Sequence, residues 1–487
     1  MTVLDNTKLI GISVKKFEDF SEWYLQAIIK TELVDYAPVK GFIVLRPYGY
    51  KIWNSISQTL DKKLYESGHE NGFLPLLIPE SILAKEKRHF SGFNPEVYWV
   101  TEAGNDTLSE RLALRPTSEA IAYSTFSNWI KSYRDLPLKM NFWNTALRAD
   151  IKGTKPLIRN SEFLWQEGHT IHANEEEAED ESQAILDIYR EIIENYLAIP
   201  CIGGHKSEKE KFVGADDTLT LESIMSDGKA LQMATSHNLG QNFSKSFGIK
   251  YLGKDNQEHF AWQTSWGLSW RLIGAVIMIH GDDKGIILPP RIAPIQIVIV
   301  PIFKNNDSSH IIRAAGEVAE NLKKSGLRVH TDDRVEYTSG WKYNEWELKG
   351  VPLRINIGKR EIERGDVELV RRDTMNKEFV KCNDLLSHIE DLLEKIQGDL
   401  FTRAKIALDK STTEATNLSA LKSIIKDKGG FVFCGWCQNQ ECEVRVKEAT
   451  GADLRVIPFD RQDISKFPNC VYCERKASRV VVFALAY

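Results

Sequence analysis

The pair Pro289-Pro290 separates two parts of the chain whose hydrophobic patterns differ. Before it, helical and strand-like segments follow one another without the regular alternation that is typical of a parallel doubly wound sheet. We therefore expect residues 1–290 to form an α+β domain, built on an antiparallel sheet with flanking helices. After it, a β-branched run at 295–300 and strand-like segments near 327–330 and 351–357 predict an α/β domain with a largely parallel sheet.

The length of 487 residues suggests about three compact units. We place their boundaries at 1–290, 291–401 and 402–487. A net charge of −5 and 42% hydrophobic residues argue against a disordered chain or a basic nucleic-acid-binding arm. The apolar stretch at 272–279 is far shorter than the ~20 residues that span a bilayer, and the N-terminus lacks a basic-then-apolar leader. We expect a cytoplasmic protein without membrane contact.

The cysteines indicate a metal site in the C-terminal unit. Their odd total of seven, with five after residue 430, suits a metal clip better than a disulfide framework. Cys437 with Cys442, and Cys470 with Cys473, are spaced as the two knuckles of a tetrahedral Zn²⁺ site. Cys434 forms its own C-x-x-C with Cys437 and could replace Cys442. We expect a structural zinc in a small α+β unit.

Three arginines carry the clearest functional signal. Arg148 and Arg159 flank a Lys-Gly-Thr-Lys-Pro turn, so a strand-loop-strand hairpin would direct both guanidinium groups to one ligand. Phe163, four residues after Arg159, would share its strand face and stack on a purine, while Asp150 accepts from an exocyclic amine. Arg271 begins an otherwise apolar helix, where an arginine without a partner is uncommon. A solvated surface hairpin would explain the first two arginines alone, but not all three.

This arrangement resembles motifs 2 and 3 of class II aminoacyl-tRNA synthetases, and Pro75, after a helical pattern at 52–64, resembles the motif 1 proline of the dimer interface. Within that class the resemblance is to prolyl-tRNA synthetases and covers nearly the whole chain. It is carried by R-P-T-S-E (Arg115–Glu119), W-Q-E-G-H-T (Trp165–Thr170), Q-M-A-T-S-H-N-L-G-Q-N-F (Gln232–Phe243) and S-W-G-L (Ser265–Leu268).

The resemblance is closest to the shorter archaeal or eukaryotic-like form, which ends in a zinc module and a terminal tyrosine, here Tyr487. Thr170 and Gln232 are too near each other in the sequence to hold an editing domain, since a helix starting near Asn174 takes much of the space. The resemblance therefore implies a catalytic domain at 1–290, an anticodon-binding domain at 291–401 and a zinc-binding domain at 402–487.

The activity that the resemblance implies is proline–tRNA ligation. L-proline and ATP would form prolyl-adenylate and pyrophosphate, and the prolyl group would then pass to tRNA(Pro). Arg148 and Arg271 would be catalytic, with Mg²⁺ sharing the phosphate charge. Proline offers two N–H donors, a carboxylate and a compact ring, so its pocket needs a carboxylate, a hydroxyl and aromatic walls. The residues implied for proline are Phe93, Glu96, Thr117, Glu119, Arg148, Trp165, Glu167, His169, His237 and Trp266.

For ATP the implied contacts are Arg148, Asp150, Arg159, Phe163, Gln232, Thr235, Ser269 and Arg271. Glu347, Arg354 and Lys359 would contact the anticodon, because edge hydrogen bonds and phosphate contacts read unstacked bases. The resemblance also implies a homodimer through the motif 1 region, and it favours Cys437, Cys442, Cys470 and Cys473 as the zinc ligands.

Two residues depart from the family pattern. The acidic residue of motif 2 is usually glutamate and is here Asp150, and Trp270 precedes Arg271 where a small residue is usual. Losing one methylene from an adenine contact could weaken ATP binding by about 1–3 kcal/mol.

Two other interpretations of the function stay open. An inactive synthetase-like protein would hold RNA, and an adenylating paralogue would use another acceptor. The intact Arg148, Arg159 and Arg271 argue against the first, and the anticodon-binding domain against the second.

Overall fold

The computed structural model describes residues 11–89, 96–303 and 308–487, which form three units along the chain. The helices of the first unit are α1 (Phe20–Lys30), α2 (Pro47–Glu66), α3 (Glu80–His89), α4 (Glu119–Trp129), α5 (Glu175–Glu191), α6 (Asn242–Phe247) and α7 (Arg271–His280). Its strands are β1 (Val34–Tyr36), β2 (Ile43–Leu45), β3 (Glu70–Gly72), β4 (Leu77–Pro79), β5 (Trp99–Ala103), β6 (Asp106–Leu114), β7 (Leu138–Leu147), β8 (Glu162–His172), β9 (Ile202–His205), β10 (Asp217–Ile224), β11 (Ala230–Gly240), β12 (Lys250–Leu252), β13 (Glu258–Phe260) and β14 (Trp262–Ser269).

The sheet at the centre of the first unit is antiparallel, as its sequence pattern predicts. In the order β9-β10-β11-β14-β8-β7-β3, neighbouring strands run antiparallel except for the short β3, which pairs parallel with β7. The hairpin predicted around Arg148 and Arg159 is β7 and β8, which pair from Leu138↔Ile171 to Leu147↔Glu162. The long connection between those strands lies at the open end of the sheet and carries both arginines.

Two helices of the first unit follow directly from local sequence signals. In α2 the residues Ile52, Ile56, Leu60 and Leu64 recur at helical spacing and are buried. In α5 the Asn174 side chain accepts a hydrogen bond from the Glu177 backbone N–H at 2.9 Å, and three glutamates follow in the first turn. Both features stabilise a helix start.

The segment 73–78 is only partly a strand. Strand β3 ends at Gly72 and β4 begins at Leu77, so the intervening Phe73 to Leu76 lie outside any strand. Arg115 holds this segment by donating to the backbone carbonyls of Leu74 and Pro75 at 3.0 and 3.2 Å. The arginine therefore replaces the strand ladder as the hydrogen-bond partner of this stretch.

The second unit contains β15 (Ile297–Ile302), β16 (Val329–Thr331), β17 (Leu353–Gly358), β18 (Asp366–Arg371), β19 (Lys377–Lys381), α8 (Ser308–Lys324), α9 (Ser339–Leu348), α10 (Lys359–Arg364) and α11 (Leu385–Lys410). Its sheet is mixed, not largely parallel as expected. Strand β15 pairs parallel with β16 and β17, whereas β17 with β18 and β18 with β19 are antiparallel. The connection from β18 to β19 is too short for the crossover that parallel strands need.

The third unit contains β20 (Thr412–Glu414), β21 (Phe431–Trp436), β22 (Asp453–Pro458), β23 (Arg479–Ala484), α12 (Leu418–Asp427) and α13 (Gln440–Thr450). It is not separate from the first unit. Strand β22 pairs with β9 at Ile457↔His205 and Pro458↔Gly204, so the described residues form one sheet of eleven strands across both units. Gly204 permits this approach, because a β carbon there would lie 2.1 Å from the Ile457 carbonyl oxygen.

Helix α11 runs through residue 401, where we expected one unit to end. The chain therefore passes from the second unit to the third without leaving the helix. No helix in the described ranges is long and apolar enough to cross a membrane.

Candidate active site

A cavity of about 250 Å³ opens on the face of the first unit's sheet, above β8, β10, β11 and β14. Thirteen of the residues predicted to bind proline or ATP line it: Thr117, Glu119, Arg148, Phe163, Trp165, Glu167, His169, Gln232, Thr235, His237, Trp266, Ser269 and Arg271. They come from segments far apart in the sequence. The fold therefore brings both predicted sets to one place.

One end of the cavity holds two carboxylates. Thr117 donates its hydroxyl to Glu119 at 2.5 Å, and the Glu119 side chain is buried at the start of α4. Glu167 accepts hydrogen bonds from the Ser118 hydroxyl and, at 2.8 Å, from the Asn144 amide. Burial would raise the pKa of Glu167, but His169, Ser118 and Asn144 lower it. Glu167 is thus held ionised, and it fixes the loop that carries Thr117.

Aromatic rings close the sides of this end. Trp266 is buried, and its ring lies against Gly168 of the neighbouring strand, where a β carbon would be 1.9 Å from the ring. The glycine in the W-Q-E-G-H-T motif is therefore required by the tryptophan of S-W-G-L. The His169 ring packs edge-on against Tyr123, and its Nδ1 lies 3.2 Å from the Tyr123 hydroxyl.

His237 forms the opposite wall. Its Nδ1 lies 2.9 Å from the Thr218 hydroxyl, and its ring is 4.7 Å from the ring of Phe212. Burial lowers the pKa of His237 to about 3, although Asp217 opposes this shift. The imidazole is therefore neutral at physiological pH and offers hydrogen bonding without charge.

Arg148 lies at the mouth of the cavity, and its side chain is exposed to solvent. Its guanidinium lies 5.2 Å from the Phe163 ring, and its Nε donates a long hydrogen bond of 3.4 Å to the Pro116 carbonyl. The surrounding protein atoms lower the pKa of Arg148 by desolvation, and Asp150, Glu119 and Glu167 act in the opposite direction. Most of its five N–H donors have no protein acceptor among the described residues.

Arg271 lies on the far side, at the first residue of α7. Its Nε donates to the Ile158 carbonyl at 3.0 Å and its Nη1 to the Gln232 carbonyl at 3.3 Å. Burial lowers the pKa of Arg271 to about 10, and Arg148 and Arg159 add repulsion. All three predicted arginines are therefore close enough to interact electrostatically, which favours one multiply charged anion between them.

Three predicted residues of the described ranges do not line the cavity. Glu96 lies beside the hairpin, where its carbonyl accepts from the Ala149 N–H at 3.2 Å. Asp150 is exposed but close enough to act on Arg148. Arg159 precedes β8 in an isolated bridge with Lys155, so the expectation that Phe163 shares its strand face is wrong. Phe93 lies outside the described residues.

Sequence reasoning missed several residues of the cavity wall: Lys206, Glu210, Phe212, Thr218, Met233, Ala234, Ser265, Gly267 and Leu268. The S-W-G-L motif contained Ser265, Gly267 and Leu268, and the Q-M-A-T-S-H-N-L-G-Q-N-F motif contained Met233 and Ala234. Lys206, Glu210, Phe212 and Thr218 lie in a segment that carried no motif signal, and they reach the site because β9 and β10 pair next to β11. The bulky Trp270 packs into the core of the first unit and does not line the cavity.

The predicted anticodon residues do not form one group. Arg354 is buried, pairs with Glu347 at 2.8 Å and lies 3.8 Å from the Tyr343 ring. Glu347 also pairs with Lys284 of the first unit at 3.3 Å. Lys359 is exposed at the other end of β17, where α10 starts. Glu347 and Arg354 therefore have partners already, and Lys359 lies apart from them.

The four cysteines meet in the third unit, between the end of β21, α13 and the loop before β23. Their sulfur atoms lie within 4.8 Å of one another, with Cys437 Sγ 3.7 Å from Cys442 and 3.6 Å from Cys473. Zn–S bonds of about 2.3 Å in a tetrahedron place sulfurs about 3.8 Å apart. Cys434 is outside the cluster, because it points into the core from β21. In the part of the chain that the structure describes, this is the one group with metal-ligating geometry.

Each of the three units matches a known protein family. The model of the tRNA synthetase class II core domain (G, H, P, S and T) matches residues 98–280, the anticodon binding domain model matches 296–392, and the model of the prolyl-tRNA synthetase C-terminal domain matches 418–487. The fold and the cavity thus define a class II aminoacyl-tRNA synthetase core.

Individual relatives narrow this class. The chain is 55% identical to a proline–tRNA ligase of Cenarchaeum symbiosum, over 98% of this chain and 100% of the relative. It is 49% identical to that of Natranaerobius thermophilus, over 99% of each. The crystal structure of prolyl-tRNA synthetase from Cryptosporidium parvum, complexed with halofuginone and AMPPNP, superposes with a TM-score of 0.94 at 41% identity, over 99% of this chain and 100% of that one. The chain belongs to the prolyl-tRNA synthetase family.

Proposed function

We infer that the chain is an ATP-dependent proline–tRNA ligase, which forms prolyl-adenylate from L-proline and ATP and transfers the prolyl group to tRNA(Pro). The observation that carries this inference is the shared cavity, with paired carboxylates and aromatic walls at one end and unpaired guanidinium groups at the other. The family membership supports it. No observation favours an inactive RNA-binding protein or another acceptor.

In this proposal proline occupies the end of the cavity near Glu119. The carboxylate of Glu119 and the hydroxyl of Thr117 would accept the two N–H donors of the secondary ammonium. Trp165, Trp266 and the neutral His237 would surround the ring. Glu167 and His169 would hold the floor beneath it, and Glu96 and Phe93 are further proposed proline contacts.

The nucleotide occupies the other end. The ring of Phe163 would stack on adenine, with Asp150 near its amine, and Gln232, Thr235 and Ser269 would line its path. The proline carboxylate attacks the α-phosphate, so Arg148, which lies between the two ends, would bridge both reactants. Arg159 and Arg271 would neutralise the outer phosphates, where pyrophosphate leaves. Bound Mg²⁺ would share the phosphate charge.

The nucleophiles of both steps need no protein base. The first is an ionised carboxylate, and the second is a tRNA ribose hydroxyl that attacks an activated mixed anhydride. Catalysis would thus rest on positioning and on charge neutralisation. We assign the anticodon to the second unit, with Glu347, Arg354 and Lys359 as its proposed contacts.

A proline-dependent pyrophosphate exchange assay tests the activity. The purified protein should exchange labelled pyrophosphate into ATP only when proline is present, and it should charge tRNA(Pro). Arg148→Ala should abolish exchange while the circular dichroism spectrum stays that of the wild type. Absence of exchange in the wild type would refute the ligase function, and normal exchange in the variant would refute the role of Arg148.

We propose that the four-cysteine cluster holds a structural Zn²⁺, because its sulfur spacing fits a tetrahedral ion and the sulfurs leave no open ligand position. Zinc would join β21, α13 and the loop before β23. Chelation should lower the melting temperature, and metal analysis should find one zinc per chain. A metal-free preparation of equal stability would refute the site, whereas Cys434→Ser should retain the zinc.

We also propose a cytoplasmic homodimer through the motif 1 region. Phe73, Leu76 and Leu77 expose 84%, 39% and 37% of their surface around Pro75, an apolar patch of the kind that interfaces cover. Phe73→Asp should produce monomers in analytical ultracentrifugation, and Phe17→Asp, which changes an equally exposed phenylalanine elsewhere, should not. A monomeric wild type would refute the dimer. Fractionation of the source cells tests the location.

A further inference from the structure

Three charged residues form a buried triad where the first and third units meet: Lys206, Glu222 and Arg455. The Lys206 ammonium donates to Glu222 Oε1 at 2.7 Å and to the backbone carbonyl of Arg455 at 2.8 Å. The Arg455 guanidinium donates to both Glu222 oxygens at 3.0 Å. The side chains of Lys206, Glu222 and Arg455 are 2%, 0% and 11% exposed. The carboxylate is therefore shared by two cations from different units.

The triad touches the substrate cavity through Lys206, which forms part of its wall. An ammonium has three N–H donors, and Lys206 uses two of them on Glu222 and Arg455. The third has no acceptor among the described residues. Two cations on one carboxylate also place a positive charge there, which Glu210 of the same wall and Asp453 oppose.

The position of the triad relates it to the nucleotide end of the cavity. In the sheet, Glu222 is the register partner of Gln232, whose carbonyl accepts from Arg271. Glu222 and Arg455 are close enough to Arg271 to act on it electrostatically. Lys206 therefore lies on the same side as the guanidinium groups that we assign to the outer phosphates.

A second contact ties the segment that contains Lys206 to the third unit. The Ser207 hydroxyl donates to the buried Glu443 of α13 at 2.9 Å. Lys206 and Ser207 are thus each tied to the third unit by a buried polar contact. Such contacts fix the orientation of a side chain more than they add stability.

We propose that Lys206 is a further anion-binding residue of the cavity, which takes an oxygen of the ATP triphosphate, and that Arg455 positions it through Glu222. This inference rests on the proposed ligase function and adds the third unit to the active site. Arg455 does not touch substrate. It limits the directions in which the Lys206 ammonium can point.

The test is a double-mutant cycle on pyrophosphate exchange with Lys206→Met and Arg455→Met. Each single change leaves Glu222 paired with one cation. The buried pair is then neutral, so both single variants are expected to fold. Lys206→Met should raise KM for ATP about tenfold and change KM for proline less than twofold. Arg455→Met should raise KM for ATP about fivefold. In the double variant the buried Glu222 has no cation and takes up a proton, and KM for ATP should be no higher than in Lys206→Met, with thermal melting confirming that the double variant is folded. Arg455→Lys should recover at least half of the loss.

The matched control is Arg445→Met, which removes an exposed arginine of the same unit that pairs with Glu441 and Glu448 on α13. Its KM for ATP should equal that of the wild type. An unchanged KM for ATP in Lys206→Met would overturn the proposal, and a raised KM for proline would assign Lys206 to the carboxylate instead. If the increases in KM for ATP of the two single variants multiply in the double variant, Arg455 does not act by positioning Lys206. If wild-type exchange is normal while these patterns fail, only this inference falls, and the ligase function stands.

Discussion

Arg148 and Arg271 of the cavity have electrostatic surroundings opposite to those of Arg334 and Arg371 in the second unit. Arg148 and Arg271 use backbone carbonyls as their hydrogen-bond acceptors in the described residues. Desolvation lowers the pKa of each. In the second unit Arg334 pairs with Asp332 at 2.7 Å and with Glu345 at 2.5 Å, and these hydrogen bonds raise its pKa.

Arg371 repeats the pattern of the second unit. Burial would lower the pKa of Arg371, but its ion pairs with Asp373 and Asp399, at 2.8 and 2.7 Å, raise it. The two regions use the same residue type for different purposes. A guanidinium whose charge is neutralised by carboxylates holds the fold together, whereas one that lines the cavity without an ion-paired carboxylate is ready for an anionic substrate.

The largest expected effect is the loss of activity in Arg271→Met. Removal of one preorganised charge from the reacting phosphates should lower exchange about 10²–10³-fold. Stability should change by less than about 1 kcal/mol, because no ion pair is broken. Pyrophosphate exchange and urea unfolding measure the two quantities. Strong destabilisation would place Arg271 with the structural arginines and break the comparison.

Arg334→Met should show the reverse behaviour. It leaves the fully buried Asp332 without its main partner and removes one of the two cations paired with Glu345, which should cost about 2 kcal/mol of unfolding free energy. Pyrophosphate exchange, which involves no tRNA, should stay within twofold of the wild type. The control is Arg313→Met on α8, an exposed arginine that should change stability by less than about 0.5 kcal/mol. Equal unfolding free energies for Arg334→Met and Arg313→Met would contradict the structural role of Arg334.

A smaller effect is expected in acid. Burial alone would raise the pKa of Asp332, but Arg334, Trp346 and Lys342 lower it to about 2. Because this folded pKa is below the unfolded value of about 3.9, the stabilisation is complete above pH 4 and is lost as the pH falls towards 2. Acid unfolding followed by tryptophan fluorescence should therefore begin at higher pH in Arg334→Met than in the wild type. Superimposable acid transitions would show that the pair does not depress this pKa.

Much of the fold could be predicted because its signals are local. Helices α2 and α5 follow from apolar spacing and from the Asn174 cap. The β7–β8 hairpin follows from the turn between Arg148 and Arg159. Cysteine spacing predicted the cluster, but it could not decide between Cys434 and Cys442. That choice depends on the direction in which β21 points each side chain.

The rest depends on pairings between distant segments. The segment from Lys206 to Thr218 has no pattern of its own, and it reaches the cavity only through strand neighbours. The same holds for the mixed sheet of the second unit and for the junction of β22 with β9. Hydrophobic periodicity says which face of a strand is buried, but not which strand lies beside it.

The sequence by itself determined the type of chemistry, because arginines, carboxylates and cysteines at these spacings are suited to few ligands. Tertiary structure decided which of these groups keep their charge for a substrate. Arg354 and Glu347 neutralise each other, while Arg148 and Arg271 are left without a carboxylate among the described residues. The physical reason is that the free energy of a charge depends on what surrounds it, and only the folded chain brings those surroundings together.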